Sequence, residues 1–514
     1  MQNKKPILFM ATALLVGVLA GCGPTTETSN SDGSNTGPKT RIDFWTGFGG
    51  AVNTVLEPMI ADFEVANPNI DVVYETKGGY PNLKQAIDLS VGNTAYPHIA
   101  NGYPDHFASY LNSNIMLPLD AYMAREDVGI DVDDFYADYM TENQELVDGV
   151  TVGLPFNKST EIMVANKGFF EVMASHDPSV KVPETWAELA TIGLRIKQIT
   201  EEQGYFGKVV VRKDGGGYEA VARPVEPTPA VKAAFAAKTV FDFTEVEKST
   251  FVPFNWDSTS NFFITMVRQW GGVYTEKGGN IRQGYLRFNT AQVVQGLTFL
   301  KGLSDQRIVG IPQVYGETQF GSNPFKLGKI VLTISSSAGV KENLPNNSTD
   351  YPFEVSVHPI PFKEADKKFV ISQGTNLALL KRGKAAEQEA AWLLLKYLTV
   401  DRNAEFSRDT GYFPVSVSTQ SSELYTTFLN GDSSNYSAGD RAVQDTAKLN
   451  NDFYLDDGES WIKFVDPGFV GSSQIRDEVG FIIGKVFYGD EGKPITPQQA
   501  IDQAYARLSK FVQK

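Results

Sequence analysis

The sequence runs to 514 residues, of which 42% are hydrophobic and 12% aromatic. That is far more apolar side chain than a disordered chain carries, so a large core spread over two or three domains, or two lobes, is expected. The 46 Lys and Arg against 61 Asp and Glu leave a formal charge of -15, which repels phosphate backbones and argues against nucleic acid as a partner, and the single cysteine, Cys22, excludes an internal disulfide framework or a cysteine-built zinc site.

Taken in chain order, the first element is an export signal. Lys4 and Lys5 precede an uncharged apolar run from Ile7 to Leu19, which the small residues of Leu19-Ala20-Gly21-Cys22 close. The run is shorter than the ~20 residues a membrane-spanning helix needs, so cleavage is favoured over retention as an anchor. The Leu-Ala-Gly-Cys ending resembles the lipobox of bacterial lipoproteins, which implies that Cys22 becomes the lipidated first residue of the mature chain. Removing residues 1–21 takes away two lysines and no acid, so membrane attachment would rest on the lipid. Residues 22–40, rich in Thr, Ser, Asn, Gly and Pro, read as a flexible tether.

The globular part is expected to start at Arg41-Ile42-Asp43-Phe44-Trp45, where polar and apolar residues alternate as in a strand. Val55, Leu56, Met59, Ile60 and Phe63 share a helical face, and Ile70 to Glu75 read as a strand. Asp131-Val132-Asp133-Asp134 opens like a calcium loop, but Phe135 and Tyr136 spoil it, which leaves a helix N-terminus. Thr185 to Glu188 has capping-box spacing, followed by the stripe Leu189, Ile192 and Ile196; Thr496 to Gln499 repeats the device with Pro497 at the first helical position. Between them, Val209-Val210-Val211, the Lys213–Gly217 turn and the stretch to Pro229 read as a surface hairpin insertion over 204–253. Short strands alternating with amphipathic helices predict an α/β fold.

The search for catalytic chemistry returns little. His-Glu-x-x-His, Gly-x-Ser-x-Gly and phosphate-loop motifs are absent, and His98, His106, His176 and His358 are too scattered for a metal helix. Gly215 to Ala220 matches a dinucleotide fingerprint in letters only, because Pro224 and β-branched residues follow where a helix must open. A carboxylate pair for glycan hydrolysis is a three-dimensional property that 61 acids leave open.

Several segments together resemble family 1 extracellular solute-binding proteins of ABC importers: Phe44-Trp45, Tyr96-Pro97-His98, Leu154 to Thr160, Pro183 to Leu189, Gly328 to Ile334, Gln373 to Leu377, Thr410 to Pro414 and Gln474-Ile475-Arg476. The resemblance implies a two-lobed periplasmic-binding-protein type II fold with a hinge and an inter-lobe cleft. It suggests crossings near Pro155, Ser335 and Gln373, with 41–155 and 336–373 in lobe I, and 156–335 and 374–514 in lobe II. Pro155-Phe156-Asn157, Thr410-Gly411-Tyr412 and Gln474-Ile475-Arg476 are most similar to the glycerol-3-phosphate-binding branch, which carries over Ser159, Ser336, Ser337, Gly374, Tyr412 and Arg476 as ligand contacts. Proline at 104, where that branch has an acid, and the 204–253 insertion both depart from it, so a carbohydrate is the expected ligand.

A sugar site needs aromatic faces and planar polar groups. Candidates are Trp45, Phe48, Tyr103, Trp256 and Trp270, with Asp105 and His106 as hydrogen-bonding partners; core packing competes for each aromatic, and a salt bridge competes for Arg476. Trp186 and Trp392 lie on amphipathic helices and read as structural. The expected function is a lipid-anchored, monomeric receptor on the outer face of the cytoplasmic membrane. It would deliver a carbohydrate, or alternatively a glycerophosphate, to a membrane permease, with no cofactor or chemistry. An exported glycan hydrolase and a surface adhesin are the competing classes.

Overall fold

Alternation sets the first strand as expected: in Thr40–Thr46 (β1), Ile42 and Phe44 enter one core while Trp45 packs at another on the opposite face. The computed structural model describes residues 38–225, 228–316, 320–345, 353–454 and 461–512, so Cys22, the export segment and nearly all of the tether lie outside the described residues. The remaining strands of the main sheet are Ile70–Thr76 (β2), Ile99–Gly102 (β3), Leu154–Asn166 (β4), Phe254–Trp256 (β5), Leu332–Ser336 (β6), Val355–His358 (β7), Phe369–Leu379 (β8) and Ile462–Phe464 (β9). Their order is β2-β1-β3-β8-β4-β6-β5, with β7 beside β4 and β9 beside β8.

β1 runs parallel to β2 and β3, and the helix Gly50–Ala66 makes the crossover that parallel neighbours require. β8 runs antiparallel to β3 and β4. Both expected capping boxes form, Thr185 with Glu188 and Thr496 with Gln499. Asp131 caps a single 3-10 turn, Val132–Asp134, by accepting from the Asp133 amide. No helix among the described residues is long and apolar enough to cross a membrane.

The buried residues divide into one large core and two smaller ones. The large core takes Ile162 to Ile371 and Tyr425 to Leu508, while the smaller pair takes Ile42 to Phe156 and Leu377 to Val415. β4 and β8 therefore run from one half of the molecule into the other: Phe156 lies in a small core and Ile162 in the large one, and Leu377 and Ile371 divide in the same way. Pro155 and Gln373 sit on these strands. Ser335 does not mark a passage, because Ile334 and Val340 on either side of it share the large core; the third passage falls between Val415 and Tyr425. Residues 336–373 thus pack with the half expected to exclude them, through Val340, Phe353 and Ile360, and Trp392 and Phe406 of the following stretch pack with the other half.

Over 204–253 the expected hairpin forms, Val209–Arg212 against Tyr218–Val221, and Thr239–Asp242 adds a third antiparallel strand. It is more than a surface feature. Val210, Phe241 and Phe243 are buried in the large core, where Phe169 and Phe241 approach to 5.0 Å between ring centroids.

Candidate ligand-binding cleft

Two helices bring the polar candidates together. Tyr103 occupies the N-cap of Pro104–Asn112, where Pro104 is compatible with the first turn, and its carbonyl accepts from the His106 and Phe107 amides. The same turn carries Asp105, whose carboxylate accepts from the His106 amide at 2.8 Å, a favourable place for an acid. Facing it, Ser472–Val479 carries Arg476. The Arg476 guanidinium donates to Asp466 at 2.7 Å and to the Asn261 side chain at 2.5 Å, Asn261 being held in the first turn of Thr259–Gln269 by the Ser258 cap.

Three adjoining cavities follow this seam, each walled by residues from both halves of the molecule. The first, about 560 Å3, is lined by Tyr80, Tyr103, Asp105 and His106 on one side and by Ser258, Asn261 and Arg476 on the other. A neck of about 30 Å3, room for roughly one water, shares Tyr103, Asp105, Asn261 and Arg476 with it and adds Tyr274, Thr275 and Gly374. The second large cavity, about 500 Å3, meets the neck at Glu142, Ser372 and Asp466.

Burial dominates the electrostatics here. It lifts the Tyr80, Tyr103 and Tyr412 phenols above their ordinary values, so these hydroxyls stay neutral and hydrogen-bonding. Burial pushes the Asp466 carboxyl up to about 6 against the pull of Arg476, and the Asp105 charge adds to the rise. It also works against the Arg476 charge, but Asp466 and Asp105 outweigh it and hold the guanidinium above its ordinary range. His106 is pulled down by burial, with Asp105 opposing, and its Nδ1 has no hydrogen-bond partner among the described residues. Deeper in, Lys158 of β4 is fully buried against Glu142, and burial drives its ammonium well below the usual lysine range.

The ring geometry favours tyrosine faces. Tyr80 and Tyr103 meet edge to face at 5.0 Å, Phe48 packs behind Tyr80 at 6.3 Å, and Tyr412 stacks on Phe406 at 5.7 Å with 8° between planes. Two expected stacking residues are corrected. Trp256 is fully buried and lies 3.8 Å from Phe262 at 6°, and Trp270 is buried against Trp186 and Phe299. Both belong to the large core because the short strand β5 and the end of the Thr259–Gln269 helix face inward. Trp45 is capped by the Lys77 ammonium, 3.6 Å from its ring centroid, and neither it nor Phe48, itself buried, lines these cavities.

The carried-over residues divide similarly. Gly374 and Arg476 line the neck. Tyr412 lies behind Tyr80, close enough to perturb its phenol. Ser159 is buried in β4 opposite Gln373, Ser336 ends β6 opposite Glu161, and the Ser337 hydroxyl accepts from the Thr160 amide at 3.1 Å. These three serines stitch β4, β6 and β8 together and line none of the three cavities. Gly374 is required by the backbone as well: its φ is +91°, and a Cβ there would sit 1.8 Å from the Asn157 carbonyl oxygen. Sequence reasoning missed Tyr80, Glu142, Asn261, Tyr274 and Asp466. Tyr80 follows the Gly78-Gly79 turn in an arrangement like that of Tyr103 before Pro104, the one signal that points to it.

The sequence profile of bacterial extracellular solute-binding proteins matches residues 58–427. A sn-glycerol-3-phosphate-binding periplasmic protein, UgpB, of Salmonella typhimurium is 29% identical over 176 residues, a match covering 32% of this chain and 37% of that protein. The chain thus spans little more than a third of that relative. A putative binding protein of Brucella abortus is 23% identical over 362 residues, covering 69% of this chain and 70% of its own. Among solved structures, UgpB from Mycobacterium tuberculosis in complex with glycerophosphocholine superposes with a TM-score of 0.66 at 15% identity, over 93% of this chain and 98% of that one. The GacH receptor of Streptomyces glaucescens, solved unliganded and with acarbose, gives 0.64 at 15% identity, over 92% and 100%. With the profile covering most of the chain and the two-lobed α/β fold shared, this protein belongs to the bacterial extracellular solute-binding protein family.

Proposed function

We propose that the chain is the receptor of an ABC importer and captures a carbohydrate in the cleft between its two halves. The observation that carries this reading is the set of buried hydroxyls without hydrogen-bond partners among the described residues on the cleft wall, Tyr274, Thr275 and Ser372, beside the tyrosine faces of Tyr80 and Tyr103. Buried polar groups are costly unless satisfied, and a polyhydroxylated ligand that donates and accepts along its length satisfies them while its C–H surface packs on the rings.

In this reading Tyr103, Asp105, His106, Gly374 and Arg476 form the ligand site, with Tyr412 supporting Tyr80. Lobe I comprises the strands up to Phe156 and the stretch from Leu377 to Val415, and lobe II the remainder, exchanging the segments around residue 374 relative to the sequence expectation. A ligand touching both lobes favours their closed arrangement by its differential affinity, which lets a permease distinguish loaded from empty receptor. Export, cleavage before Cys22 and lipid attachment at its thiol place the receptor on the outer face of the cytoplasmic membrane. On this reading it performs no chemistry, which is supported by Glu142 being committed to Lys158 and Asp466 to Arg476, so that neither is free to act as a hydrolytic acid or base.

A glycerophosphate is the second reading, supported by Arg476 lining both the neck and the first cavity. A thermal-shift series on the purified protein with maltotriose, glycerol 3-phosphate and glycerophosphocholine separates the two, since binding to the native state raises Tm. A rise with a saccharide supports the carbohydrate reading. A rise with the glycerophosphates alone, abolished in Arg476→Ala, overturns it in favour of the second.

A further inference from the structure

The second cavity differs in chemistry from the first. Of the cations in or beside it, three are already engaged: Arg476 through Asp466 across the neck, Lys158 against Glu142 behind the wall, and Lys277 of the lining donating to the Glu145 carbonyl. Two are not. The Lys463 ammonium lies 4.8 Å from the Tyr139 ring centroid and 6.0 Å from that of Tyr136, with no carboxylate at ion-pairing distance among the described residues. The Arg268 guanidinium is packed 5.1 Å from the Phe464 ring and 5.4 Å from that of Phe369, and its buried Nε has no hydrogen-bond partner among the described residues. Both line the cavity, as does Ser372, which is 8% exposed and whose hydroxyl has no partner among the described residues.

Two half-buried cations with no direct ion pair among the described residues, Arg268 sensing Asp466 and Lys463 sensing Asp138 only through space, are expensive to hold unless something supplies further negative charge. Burial pulls the Lys463 ammonium down to about 8 against the Asp138 charge, so it remains mostly charged at neutral pH. Asp138, Glu145 and Asp148 also line the cavity but are exposed, so that solvent and salt screen them. The two acids inside are bonded elsewhere, Asp466 to Arg476 and Glu142 to Lys158.

We propose that this cavity is an anion subsite, in which Lys463, Arg268 and the Ser372 hydroxyl hold a carboxylate or phosphate group carried by the ligand. The inference rests on reading the seam as the ligand site and specifies its ligand class: an acidic saccharide or a sugar phosphate, with its hydroxylated part toward Tyr103 and its charge toward Lys463. Arg268 offers a planar fork that matches either oxyanion, and Lys463 a compact point charge.

Isothermal titration calorimetry on the purified protein with trigalacturonate, glucose 6-phosphate and maltotriose, together with thermal shift by inorganic phosphate, tests it. The expected result is that at least one acidic probe binds, that Lys463→Met weakens it at least about tenfold, as loss of a charge-assisted hydrogen bond does, and that Lys463→Arg restores most of the affinity. Any maltotriose binding should change less than about twofold in Lys463→Met. The unliganded Tm of each variant checks folding. Preference for trigalacturonate identifies a carboxylate, and preference for glucose 6-phosphate a phosphate. Acidic probes that bind wild type and Lys463→Met equally, or binding of maltotriose alone, overturn the subsite and leave the carbohydrate reading standing. If no saccharide binds, that reading fails while the phosphate arm still decides the subsite: a Tm rise lost in Lys463→Met supports it, and none refutes it.

Discussion

Replacing Trp256 by alanine separates core packing from ligand stacking. The indole is fully buried, parallel to Phe262 at 3.8 Å, and near Phe254 and Phe487 at 6.0 and 6.2 Å. Truncating a buried tryptophan costs about 3–5 kcal/mol from lost transfer energy and the cavity left behind, with about 0.5–1.5 kcal/mol of that in the aromatic stacking itself. The indole Nε1 is buried without a partner among the described residues, so its removal returns part of the loss and sets the expectation near 3 kcal/mol. Urea unfolding followed by far-ultraviolet circular dichroism reads the stability, and calorimetry at a temperature where the variant is folded reads ligand affinity, expected to stay within about twofold because Trp256 lines none of the three cavities. A loss below about 1 kcal/mol, or more than a tenfold drop in affinity with stability intact, would refute the assignment of this side chain to the core.

Gly374→Ala should destabilise by roughly 3 kcal/mol or more, since positive-φ strain of about 1–2 kcal/mol adds to the collision with the Asn157 carbonyl; an unfolding midpoint within error of wild type contradicts the described packing of β8 on β4. Glu161 is buried, and burial raises its carboxyl to about 7 although the Thr265 hydroxyl donates to it at 2.6 Å. The folded state therefore keeps a proton that the unfolded chain has released, so stability should fall as pH rises from about 4.5 to about 7. Glu161→Gln should flatten that slope and raise stability at pH 8 by on the order of 1–3 kcal/mol; a pH profile unchanged by the substitution argues against a protonated Glu161. Tyr103→Ala should weaken ligand binding about tenfold or more and Tyr103→Phe distinctly less, as ring contact outweighs the hydroxyl; equal losses would point to the hydroxyl instead.

Much of the fold was readable because its signals are local. Alternation at Ile42 and Phe44, and the Thr185 and Thr496 capping boxes, need only neighbouring residues. The division of cores was not, because the assignment of 336–373 depends on β8 pairing with β3 and β4 across more than two hundred residues, a register no local pattern encodes. The site was half legible. Tyr103, Asp105 and Arg476 line one neck, while Trp256 and Trp270 turn inward because aromatic composition carries no information about direction. Asp466, Lys463 and Arg268 escaped notice since lone charged residues look like solvated surface until burial and missing partners become visible.

The most direct test of ligand capture between the two halves is calorimetric titration of a saccharide panel into wild type and the Tyr103→Ala and Asp105→Ala variants. The account predicts one-to-one binding by wild type and at least about tenfold weaker binding in each variant at unchanged fold. Saccharide binding that both substitutions leave untouched would place the ligand elsewhere and contradict the account.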